Sequence, residues 1–325
     1  MKWSKHIRTF GLLTLAVVLS LPGCQQSAED QAVTTSESLD TPIVIQHQLG
    51  TTTLTQRPHR VAVLDMNEAD FLDQLNVPIA GMTKDYVPHF LEGYKTDEAV
   101  KDLGAITQPN LERIYTLKPD LILMTSLQAN HYDALSEIAP TLHFDINYRD
   151  SESGHIQAVK QHLQDLGHIF NKEALAQQKI AELEAKVAQA RHITEGRPEK
   201  ALIVMHNNGA FSSFGVQSRY GFVFEALGVQ PASTDEESSL HGQPITSEFI
   251  HQANPDIIYI IDRTAVMERR PVITSTQISN PLLRQTRAWK HGHVVFVDAD
   301  AWYITAASLT SLNIVIDEVI SGYQH

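Results

Sequence analysis

One cysteine in 325 residues excludes any intramolecular disulfide, and with it the stapled small-domain folds common among exported proteins. Positive charge is scarce as well. Twenty-five lysines and arginines face 38 acids, and a net charge of −13 argues against nucleic acid and against a polybasic membrane surface. Long apolar runs are missing: FGLLTLAVVLSL at residues 10–21 is about a dozen residues where a spanning helix needs about 20. No G-x-S-x-G, G-x-G-x-x-G, P-loop or H-E-x-x-H pattern occurs, so no nucleophile, nucleotide site or zinc hydrolase is nominated and a non-enzymatic role is expected. The 16 histidines are scattered, and His291-Gly292-His293 reads as a turn before a strand rather than a ligand set.

What is present begins with an export signal. Lys2, Lys5 and Arg8 precede the apolar run, and Leu21-Pro22-Gly23-Cys24 closes it. That closure looks like a bacterial lipobox, in which Cys24 is lipidated and becomes the new N-terminus. A lone cysteine at the cleavage site fits a lipid anchor better than a structural thiol. Residues 1–23 are then a leader, and 24–41, rich in Ser, Thr, Gln and Glu, a flexible tether to the envelope membrane in the periplasm.

The body starts at Pro42 with a hairpin pattern around Leu49-Gly50. Apolar strands then alternate with helical segments: RVAVLD before NEADFLDQL, and PDLILMT before NHYDALSEI. That order predicts an α/β fold with a largely parallel sheet.

An internal repeat organises it. PNLERIYTLKPDLILMT (109–125) is matched by ITSEFIHQANPDIIYII (245–261), and RPHRVAVL (57–64) by RPEKALIV (197–204), at offsets of 136 and 140 residues. Glu112 and Glu248 take equivalent places, two residues before an Ile and seven before Pro-Asp. Two lobes of similar topology are expected, 42–170 and 197–325. Between them, Ala176, Ile180, Leu183, Val187 and Ala190 recur at helical spacing through 171–196, which predicts one rigid linking helix.

Ligand contacts in such lobes gather at the carboxyl ends of strands. In the second half, Arg263 follows the apolar strand IIYIID, Trp302 and Tyr303 follow VVFV, Arg219 opens a helix whose N-terminus is already positive, and His241-Gly242 lies in a polar loop. Taken singly, an arginine after a strand suits a salt bridge and His241 suits an ordinary loop histidine. Together they suit an anionic ligand with aromatic rings, Trp302 stacking and Tyr303 offering oxygen to a hard metal.

The order of lipobox, two α/β lobes, linking helix, QSRYG (217–221), LHGQPITSEF (240–249), IIDR (260–263) and DADAWYI (298–304) resembles the periplasmic ferric-siderophore binding lipoproteins of ABC importers. The resemblance covers essentially the whole mature chain and is nearest the ferric anguibactin and acinetobactin binding type. It implies the class III periplasmic binding fold, with two Rossmann-like lobes on a single long helix. It also implies a ferric siderophore as ligand with no cofactor, a monomer, and delivery to an inner-membrane permease and its ATPase. By the same resemblance His241 and Tyr303 complete the coordination of Fe(III), Arg219 and Arg263 neutralise the complex, and Glu112 and Glu248 meet arginines of the permease. The catecholate binders carry a third arginine after the first-lobe strand, where this chain has Leu127 and then Gln128. That departure implies a less anionic cargo, a mixed catecholate and hydroxamate siderophore. A petrobactin or other catecholate receptor is the alternative, and an envelope enzyme that processes siderophores a more remote one.

Overall fold

Strands Leu121–Thr125 and Ile257–Asp262 are buried along almost their whole length, the pattern of central strands in parallel sheets covered on both faces. Each anchors one sheet. The computed structural model describes residues 37–146, 154–234, 242–278 and 280–324; Cys24 and His241 lie outside the described residues. The first sheet runs, in spatial order, Lys101–Asp102, Gly81–Met82, Val61–Val63, Leu121–Thr125, Thr141–Phe144, with every neighbouring pair parallel. In the second, Lys200–Asn207, Ile257–Asp262 and Val294–Phe296 are parallel. Ala210–Phe214 and Gln243–Ile245 extend that sheet antiparallel on its other side. The N-terminal hairpin pairs Ser38–His47 with Gly50–Gln56, so its first strand begins inside the segment expected to be tether.

The internal repeat is structural down to its hydrogen bonds. Helices Leu111–Leu117 and Ser247–Ala253 are both seven residues long. Asn110 and Thr246 cap them by accepting from the backbone N–H three residues on, of Arg113 and Phe249. Each helix ends on a left-handed residue, Lys118 at φ 52° and Asn254 at φ 40°. Asp120 then accepts from the N–H groups of His59 and Arg60, and Asp256 from that of Lys200. The two repeated motifs of each lobe therefore hold each other, which is why both recur at nearly one offset.

The linking helix is continuous from Glu173 to Thr194, 22 residues, or about 33 Å at 1.5 Å per residue. Ala176, Ile180, Leu183 and Ala190 are buried, as their spacing predicts, and Val187 is half-buried. The helix packs between His155–Ile169 of the first lobe and the C-terminal helix Leu309–Ser321. Lys160–Glu184 and Lys186–Asp317 pair along those seams, but partly exposed pairs of this kind contribute at most about 1 kcal/mol. Close packing matters more. A Cβ at Gly167 would sit 2.7 Å from the Cβ of Ala176. Gly167→Ala is therefore expected to destabilise the chain by roughly 1–3 kcal/mol through overpacking, read as a lower urea midpoint; an unchanged midpoint would show that the two helices part at no cost.

Candidate functional site

Loops leaving the carboxyl ends of the two sheets meet one another. After Gly81–Met82 in lobe one, His89 reaches two acids that follow Val294–Phe296 in lobe two: its Nε2 lies 2.6 Å from Asp298 Oδ2 and its backbone N–H donates to Asp300 at 3.0 Å. Beside it, Arg269 donates to the carbonyl of Asp85 and stacks over Tyr86 at 5.1 Å. Strand exits of both lobes thus face a common junction, the place where ligands bind in open α/β sheets.

On the lobe-two side three of the expected residues converge. Arg263 emerges at the end of Ile257–Asp262 and donates from Nε to the Tyr303 hydroxyl at 2.7 Å; Nη1 donates to Asn207 Oδ1 at 3.2 Å. Arg219 donates from Nη2 to the carbonyl of Tyr303 at 3.0 Å. Its guanidinium lies 5.9 Å from the Tyr303 ring centre and that of Arg263 lies 5.5 Å away. All three side chains are half-buried. Two positive charges around one phenol are the chemistry that pairs with an oxygen-rich anion. Asn207 was not among the expected residues. It ends the strand KALIVMHN, so the strand-exit rule that singled out Arg263 applies to it equally.

Trp302 departs from expectation. Its neighbour faces the junction, but Trp302 itself is 0% exposed, packed near Tyr220 and Tyr259, and offers no face to a ligand. The reason is local backbone: Asp300–Thr305 is a π-helical turn, and consecutive side chains on it diverge. Burial obliges the indole N–H to find an acceptor, and it donates to Glu318 Oε2 at 2.7 Å. Glu318 Oε1 accepts from the N–H of Asp298 at 2.8 Å. Burial pushes the Glu318 carboxyl up to about 7, with the two donors pulling it back.

On the lobe-one side Leu127 is 53% exposed. Gln128 turns inward instead, donating to the carbonyls of Leu64 and Ile106 at 3.1 and 2.6 Å. The first-lobe strand exit therefore presents a bare apolar side chain. Glu112 and Glu248 are exposed, each the second residue of its matching helix.

The profile of the periplasmic binding protein family matches residues 61–301. The chain belongs to that family. It is 64% identical over 308 residues to the ferric-anguibactin-binding protein FatB of Vibrio anguillarum, covering 94% of this chain and 95% of the relative. The petrobactin-binding protein YclQ of Bacillus subtilis is 31% identical, with 98% and 99% covered. Among solved structures, the siderophore-binding protein BauB, bound to two molecules of acinetobactin and ferric iron, superposes with a TM-score of 0.83 at 65% identity. That match covers 87% of this chain and 99% of that one.

In this periplasmic binding protein the turn after Tyr303 is also fastened from lobe one. Ala306, at φ 42°, accepts from His155 Nε2 at 3.0 Å. Ala307 N–H donates to Asn67 at 3.2 Å, and Thr310 donates to Asp70 through its N–H at 2.7 Å and its hydroxyl at 2.6 Å. Burial raises the Asp70 carboxyl and pushes Asp65, which caps the helix of Asn67, up to about 6. Burial drives the His155 imidazole down from 6.5 to about 3, because a charged ring would be desolvated there. Its folded-state value lies below its unfolded one, so its stabilising contribution is complete above 6.5 and is lost as pH falls toward 3. Relative to His155→Gln, the wild-type chain should lose stability on acidification below about pH 6.5, by at most about 1.4 kcal/mol per pH unit. Parallel stability curves for the two would show that His155 takes up its proton as readily in the folded chain as in the unfolded one.

Proposed function

We propose that this chain is the substrate-binding component of an iron-siderophore ABC importer. It takes a ferric siderophore of mixed catecholate and hydroxamate type between the lobes and passes it, chemically unchanged, to an inner-membrane permease with its ATPase. The observation that carries this reading is the convergence of Arg219, Arg263 and Tyr303 at the junction. Identity of 64% to a ferric-anguibactin-binding protein over nearly the full chain supports it.

The chemistry agrees. Fe(III) is a hard cation, and its siderophore complexes present negatively charged oxygens that guanidinium forks and a phenol recognise. Leu127 in place of a cation favours a cargo of low charge, since an unneutralised buried anion costs several kcal/mol and an exposed leucine instead gains by covering apolar surface. The 31% relative is named for binding petrobactin, and a ferric petrobactin or other catecholate cargo is the second reading. Tethered through Cys24 in the periplasm, the monomer would dock by Glu112 and Glu248 against arginines of the permease. The 22-residue linking helix keeps lobe closure small.

The test is titration with a panel of ferric siderophores, following tryptophan fluorescence and the visible charge-transfer band. Mixed-type complexes should quench with a Kd below about 1 μM and be recovered intact, and Arg263→Gln should weaken binding at least about tenfold. Tyr303→Phe should weaken it too; a shifted band assigns the phenol to the iron, an unchanged band to the siderophore. No binding by any complex, or a chemically altered ligand, overturns the reading.

A further inference from the structure

The turn that carries Tyr303 is closed from within by the Ala306 N–H donating to the Ala301 carbonyl at 2.8 Å. It is six residues long and π-helical, a rare geometry found frequently at functional sites. Bonds from outside hold it as well, and besides Arg219, Tyr220, Arg263 and His155 two residues with no assigned role make them from opposite sides. From within lobe two, Glu318 accepts from Asp298 N–H at 2.8 Å and from the Trp302 indole at 2.7 Å. Both partners are donors, and a carboxylate presents an acceptor oxygen to each. From lobe one, His89 grips Asp298 Oδ2 at 2.6 Å and Asp300 Oδ2 at 3.0 Å. Asp298 is the hub of the arrangement: its other carboxylate oxygen accepts from Ala301 N–H at 2.9 Å, inside the turn.

We infer that Glu318 and His89 are positioning residues for the ligand site. Glu318 sets the orientation of Tyr303 through Trp302. His89 ties the same turn to lobe one, so that the approach of the lobes and the placing of the phenol against Arg263 occur together. The inference rests on the ferric-siderophore reading of that site. Neither residue needs to touch the ligand.

The experiment uses the full chain labelled with 15N-tryptophan, whose Trp302 indole signal is assigned by Trp302→Phe. The probe is whichever ferric complex the wild-type chain binds most tightly in the panel above. Glu318→Gln leaves an amide N–H2 facing a donor, and should move the Trp302 indole signal and weaken the complex by about tenfold. His89→Ala should leave that signal in place and weaken the complex by a smaller factor, about threefold, with His89→Gln, which can still donate to Asp298, restoring it. The His89 side chain is 57% exposed, so its variants fold even if Glu318→Gln does not. Wild-type affinity in His89→Ala, with or without a folded Glu318→Gln, overturns the role of His89. Wild-type affinity in a folded Glu318→Gln overturns that of Glu318. A wild-type chain that binds none of the complexes overturns the functional reading instead, and the inference with it.

Discussion

A buried indole N–H must have an acceptor, and the bond from Trp302 to Glu318 of the C-terminal helix meets that demand. Because Trp302 is turned into the core, Tyr303, the next residue on a π-helical turn, is turned out toward the strand exits. Its carbonyl is then held by Arg219 and its hydroxyl by Arg263. The tyrosine that looks exposed and adaptable is thus one of the better-located groups in the molecule, located by the residue beside it.

Around that turn the two halves repeat one another and then part company. Asp120 and Asp256 lock equivalent motifs, and equivalent helices present Glu112 and Glu248. At the strand exits the repeat is broken: an exposed Leu127 follows the strand in lobe one, and Arg263 bonds Asn207 at the strand ends in lobe two. Pseudo-symmetry builds the frame, and asymmetry at the exits puts charge at the strand end of one lobe and an apolar side chain at that of the other.

Most of the frame was legible in the chain because periodicity and the Pro-Asp repeat are local signals. The linking helix spans Glu173–Thr194 where periodicity predicts 171–196, and Arg263 directly follows the strand Ile257–Asp262. Trp302 was misplaced for a definite reason. The strand-exit rule says where a residue leaves the sheet, and an unrecognised π turn decides which way it points. The His89 contacts to Asp298 and Asp300 were illegible, joining residues more than 200 apart with no pattern to link them.

Locating the iron tests the central claim most directly. Crystals of the chain grown with a bound ferric siderophore, measured across the iron absorption edge, should give one anomalous peak at the junction of the lobes. Siderophore oxygens should then lie within hydrogen-bonding distance of Arg263 and beside Tyr303. A peak remote from Arg219, Arg263 and Tyr303, or a complex seated on the outer face of either lobe, would contradict the account.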